Sequence, residues 1–153
     1  MENSIIISDT SCLIALDRIG YLYILQRTFK TIYTTPKVRE EFEKPLPDWI
    51  IIKDVINKDQ VRKLELILDA GEASAITLAL ETENPILIID EKKGRRIATE
   101  LHLNIIGTLK ILLLAKQSGV IESVKDLIEL LNKHSFRFNK TIVEEILILS
   151  QEN

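Results

Sequence analysis

Apolar positions follow two rhythms along the chain: short β-branched runs and longer stretches with helical spacing. Residues 4–8 form an Ile-rich run, and Asp9-Thr10-Ser11 behind it reads as a helix N-cap. Helical spacing then continues over 12–19 until Gly20, and a second helix is predicted over 21–29. Residues 31–35 are β-branched and aromatic and predict a strand. Pro36 suits a first helical turn, with a helix over 37–43. Pro45 and Pro47 impose a loop, and 49–55 reads as another strand or extended segment. Val61, Leu64, Ile67 and Leu68 share one side of a helix predicted over 59–69. Gly71 is expected to interrupt it before helical spacing resumes over 72–82. Residues 85–89 are apolar without a break, as in a parallel strand buried on both faces. A helix over 92–101, a short strand over 104–106, and helices over 108–117, 123–132 and 141–149 complete the pattern.

Strands alternate with helices along most of this order. The alternation predicts a three-layer α/β/α sandwich around a mostly parallel sheet. With no linker, repeat or low-complexity tract, residues 1–153 are expected to form one domain. In such sheets ligands bind beyond the carboxyl ends of the strands. Asp9 follows the first strand and Asp90 follows the strand over 85–89, so both carboxylates belong on one rim. Hard divalent cations prefer oxygen ligands, and Mg²⁺ takes one or two carboxylates with waters and substrate phosphate. A bound cation would reverse the repulsion that clustered carboxylates exert on a phosphodiester. Glu41 and Glu72, both on predicted helices, are further candidates. Each acid also has a plain structural reading. Asp9 can cap a helix, Asp90 can cap the next one, Glu41 can be a solvated charge, and Glu72 can complement a helix dipole.

Composition narrows the function classes. The chain has 153 residues, 46% of them hydrophobic, which is enough for a core without covalent staples. A single cysteine, Cys12, excludes an internal disulfide. Residues 1–10 lack the pattern of a signal peptide, so the cytoplasm is the expected compartment. No window reaches the roughly 18 uninterrupted apolar residues of a membrane span. Net charge is −3, so nucleic acid cannot be held by a global excess of Lys and Arg. A local patch, Lys92, Lys93, Arg95 and Arg96, follows Asp90 and reads either as a phosphate contact or as a solvated helix face.

Several segments together carry a resemblance. They are Ile5-Ile6-Ile7-Ser8-Asp9-Thr10-Ser11, Pro36-Lys37-Val38-Arg39-Glu40-Glu41-Phe42, Gly71-Glu72-Ala73-Ser74-Ala75-Ile76, Leu87-Ile88-Ile89-Asp90-Glu91-Lys92-Lys93-Gly94 and Gly107-Thr108-Leu109-Lys110. In this order and spacing, over about residues 4–149, the chain resembles the PIN domain, in the subgroup related to toxin nucleases of bacteria and archaea. The resemblance implies a PIN-like fold and a hydrolase: a Mg²⁺- or Mn²⁺-dependent endoribonuclease. Its acidic positions map onto Asp9, Glu41, Glu72 and Asp90, as both metal-binding and catalytic residues. Many relatives have Asp where this chain has Glu72, and often a Gly where it has Lys110. The resemblance also implies an RNA substrate, a small antitoxin partner and a homodimer. Apolar positions over 59–69 and 141–149 independently suggest a homodimer interface.

Thr10, Ser11 and Thr108 can orient a ligand or water, or serve as caps. Glu91 is a fifth acid, pointed away from its neighbour Asp90. His102 and His134 lack zinc-ligand spacing, and Cys12 has no nearby His to activate it. Phosphate-binding Gly-rich loops are missing from the sequence. A metal-dependent phosphotransferase with Asp9 as nucleophile would want a second Asp at Ser11. The remaining rival to the nuclease is a non-catalytic PIN-like module that binds nucleic acid or protein.

Overall fold

The computed structural model describes residues 3–153. Parts of the signal-peptide reading and of the one-domain assignment fall on residues 1–2, outside them. The strands are β1 (Ile5–Ser8), β2 (Ile32–Thr34), β3 (Ile50–Ile52), β4 (Pro85–Ile88) and β5 (Asn104–Ile106). They form one sheet in the order β3-β2-β1-β4-β5, every neighbouring pair parallel. Parallel neighbours need long crossovers, and helices supply them. They are α1 (Thr10–Arg18), α2 (Tyr23–Phe29), α3 (Pro36–Phe42), α4 (Lys58–Glu65), α5 (Ala70–Leu80), α6 (Lys92–Glu100), α7 (Thr108–Gln117), α8 (Val124–Lys133) and α9 (Lys140–Leu149). This parallel sheet flanked by helices belongs to the predicted fold class, an α/β sandwich around a mostly parallel sheet.

Period-two alternation along the central strands divides the core. Ile6, Ile86 and Ile88 point into one cluster, with residues of α1, α2, α3, α7, α8 and α9. Ile7, Leu87 and Ile89 point into the other, with residues of α4, α5 and α6. A strand between two helical layers is apolar on both faces, which is why β4 reads as an unbroken run. Helix α5 is buried without interruption from Gly71 to Ala79. A helix enclosed on all sides loses its amphipathic pattern. Among the described residues, no helix is long and apolar enough to cross a membrane.

One expectation is corrected here. Gly71 does not interrupt a helix; it lies inside α5. The break comes earlier, after Glu65, and Asp69 restarts the chain by accepting a hydrogen bond from the Glu72 N–H at 2.8 Å. Ile67 and Leu68 belong to the turn between α4 and α5 rather than to one continuous helix.

The strand order also fixes where a ligand can enter. From β1 the chain builds outward through β2 and β3, then returns to lay β4 and β5 on the other side. The reversal lies between β1 and β4, whose registers pair Ser8 with Ile88. Crossovers on either side of such a point leave a crevice at the carboxyl ends. Asp9 and Asp90 stand at that crevice.

Candidate functional site

Asp9 leaves β1 and occupies the N-cap position of α1, but its side chain makes no capping hydrogen bond. Its N–H donates instead to the Ile88 carbonyl of β4 at 3.2 Å, which fixes the carboxylate at the switch point. The residue is fully buried, and neither carboxylate oxygen has a hydrogen-bond partner. Burial, then the charge of Asp90, push its carboxyl well above the usual carboxylate range. The Cys12 N–H favours the anion from outside hydrogen-bond geometry; Glu72 and Asp69 add further repulsion. Capping therefore does not explain Asp9. A buried carboxylate with free lone pairs and acidic neighbours has the donor chemistry that suits a cation.

Asp90 is tied down. Its Oδ1 accepts from the Thr108 N–H at 2.9 Å and its Oδ2 from the Thr108 hydroxyl at 2.5 Å. It thus serves the first turn of α7, not the helix that follows it in sequence. That helix, α6, is capped by Glu91, which accepts from the Gly94 N–H. Glu91 is accounted for by this cap. Gly107 precedes Thr108 at the N-cap of α7 and has no side chain to cap with, so Asp90 supplies the acceptor from the adjacent strand connection.

Glu41 is not a free surface charge. From α3 its carboxylate accepts from the Thr10 hydroxyl at 2.5 Å and from the Gly71 N–H at 3.2 Å. Those bonds join α3, α1 and the first turn of α5. They also explain the helical glycine: a Cβ at Gly71 would overlap Glu41 Oε1 and lie 2.7 Å from Thr10 Oγ1. Glu72, in the same first turn, is nearly buried. Its Oε2 lies 2.9 Å from where a Cβ of Gly94 would stand, so the second glycine clears room for this acid. Burial, then the charges of Asp69 and Glu91, push the Glu72 carboxyl up to about 7.

Asp9, Glu72 and Asp90 thus share one electrostatic neighbourhood, and Glu41 adjoins it through Thr10 and Gly71. Asp69 joins the cluster and was not anticipated. Its signal was present in Asp69-Ala70-Gly71-Glu72, an N-cap acid with Glu three residues on. Among the described residues, no group of three or more His, Cys, Asp or Glu side chains is arranged to hold one metal ion. The donors present are hard carboxylate oxygens, the chemistry that suits Mg²⁺ or Mn²⁺ rather than a softer metal.

Around the acids, Thr10 and Thr108 orient Glu41 and Asp90, whereas Ser11 is exposed at the start of α1. The basic run divides. Arg95 is half-buried and donates to the Ile89 carbonyl at 2.7 Å, and with Lys92 it lines a cavity that Asp90 borders. Arg96 lies along the exposed side near Glu100, and Lys93 is exposed. Cys12 is buried, and burial holds its thiol well above its usual range, which removes it as a nucleophile. His102 and His134 are exposed, and His134 Nδ1 meets the Leu130 carbonyl.

A family model described as PIN domain matches residues 5–152. No curated protein matches the chain.

Proposed function

The chain belongs to the PIN-domain family, and from that membership we propose that it is a metal-dependent endoribonuclease acting at the crevice between β1 and β4. The observation that carries this reading is Asp9: a buried carboxylate, without a hydrogen bond, at the switch point of a parallel sheet and beside Asp90.

Asp9 and Asp90 would hold Mg²⁺ or Mn²⁺, with Glu72 and Glu41 contributing directly or through water. A cation bound there supplies charge to offset the carboxylates, a more acidic water and stabilisation of the leaving oxygen. The protein's own groups do the rest. Thr108 fixes both oxygens of Asp90, and Thr10 fixes Glu41. Lys92 and Arg95 receive phosphate groups of the RNA at the mouth of the crevice. An RNA substrate, a small antitoxin partner and a homodimer complete the proposal.

The test is cleavage of several single-stranded RNAs with Mg²⁺ or Mn²⁺, with and without chelator. Cleavage that survives chelation, or survives Asp9→Asn, would eliminate the mechanism. Glu72, standing where many relatives have Asp, supports a second reading, a non-catalytic binding module. Protein that binds metal and RNA but cuts none of the RNAs would support that reading instead.

A further inference from the structure

A cavity of about 600 Å³ is lined by Asp90 but by none of Asp9, Glu41 or Glu72. Its walls are the first turn of α7, residues of α1 and α9, and the loop between α8 and α9. That loop carries Phe136-Arg137-Phe138. Four cationic side chains line the cavity: Lys92, Arg95, Lys110 and Arg137. Among the described residues none of the four is within ion-pair distance of a carboxylate, whereas Lys37, Lys44, Arg62, Arg96 and Lys116 are. Among the described residues Asp90 is the only acid in the lining. In a chain of net charge −3, this is a local concentration of free positive charge beside apolar and aromatic surface.

Such a lining suits one class of occupant. Cations follow a phosphate backbone, and an aromatic face accepts a base of any sequence. Phe136 already carries the Arg18 guanidinium, 5.7 Å from its ring centroid, so stacking falls to Phe138. Arg137 donates to the Asn132 carbonyl near the end of α8, which anchors it at the cavity wall.

We infer that this cavity seats a nucleotide of single-stranded RNA next to the one held at the acidic crevice, its base against Phe138 and its phosphates on Lys110 and Arg137. The inference rests on the nuclease reading of the crevice and adds to it the path the strand takes. A double helix keeps its bases stacked on each other and cannot offer one to Phe138, so the seat selects single strands.

The experiment is fluorescence anisotropy with a short labelled single-stranded RNA in chelator, beside steady-state cleavage with Mg²⁺ or Mn²⁺. Phe138 is half-buried against the core, so Phe138→Leu, which keeps apolar volume and removes the π-face, accompanies Phe138→Ala. Both should weaken binding by roughly tenfold, the order expected for one lost base stack, and Phe138→Trp should restore it. Cleavage by Phe138→Leu should show a higher KM with kcat unchanged. Arg137→Ala should make the log–log salt dependence shallower by about 0.7, one single-strand phosphate contact. A duplex of the same sequence should be insensitive to all these changes. Affinity and KM unchanged in folded Phe138→Leu would overturn the cavity's role even where the wild type cuts RNA. Phe138-dependent binding by a wild type that never cuts would keep the seat and overturn the nuclease reading alone. An acidic peptide that depends on Phe138 while RNA does not would give the cavity to a protein partner and overturn the inference.

Discussion

At the level of single residues, Asp9 sets the character of the site. Its ionised form is disfavoured by burial and by Asp90, Glu72 and Asp69, so the fold bears an electrostatic cost that a cation would relieve. Asp9→Asn removes the charge and keeps the shape. Without metal, this variant should be more stable than the wild type, seen as a rise in Tm. With Mg²⁺ its cleavage should fall by roughly a hundredfold or more, because the lost stabilisation amounts to several kcal/mol. Opposite signs for stability and activity are the signature to seek. A destabilised Asp9→Asn would show that the carboxylate serves the fold. Sequence made Asp9 and Asp90 candidates because each ends a strand, and strand ends are legible. It could not say that Asp9 lacks a capping bond while Asp90 has two partners, because those facts depend on neighbours distant along the chain.

Among elements, two helix starts at the crevice draw on acids from other parts of the chain. Glu41 of α3 serves α5, and Asp90 serves α7. This sharing explains Gly71, where Ala would otherwise be favoured in a helix by about 1 kcal/mol. Gly71→Ala should instead destabilise by about 1–3 kcal/mol, because a Cβ there meets Glu41 and Thr10. In a Glu41→Ala background the same change should cost much less, a coupling that a denaturant-melt double-mutant cycle reads directly. Equal costs in both backgrounds would refute the steric account. The pattern of β4, β5 and α7 was readable to within a residue, because period and capping there are local. The break before α5 was misplaced because glycine signals a helix end only when nothing distant demands its missing side chain. Glu152 is a further acid that serves another element. Burial alone would raise its pKa, but Lys116, the Val124 N–H, the Ser123 hydroxyl and the Lys125 N–H outweigh this and lower it to about 2. Since the folded value lies below the ordinary 4.5, its stabilisation is present above pH 4.5 and is lost as pH falls toward 2. Glu152→Gln should therefore be less stable than wild type at neutral pH, and acid titrations of the two proteins should converge near the lower limit. A constant difference across that window would mean the contribution is not ionic.

Across the whole molecule, two exposed apolar surfaces lie on opposite sides of the sheet. Ile142, Ile148 and Leu149 are on α9, which packs through Ile146 into the layer of α1 and α7. Leu66 and Ile67 flank Leu64 and Leu68, which pack into the layer of α5. The sequence suggests a homodimer that buries some of the apolar positions of these two segments. A closed two-fold contact presents the same patch from each copy, so two surfaces facing opposite ways cannot both enter it. The expectation therefore narrows to a dimer through one of them. Light scattering at high protein concentration should give the dimer mass. Leu149→Glu and Leu66→Glu each place a charge in one patch, and only one of them should return the protein to monomer. A monomeric wild type would end the dimer expectation. Loss of association in both variants would instead indicate a head-to-tail contact joining the two faces, and a contact of that kind adds further copies rather than closing on two.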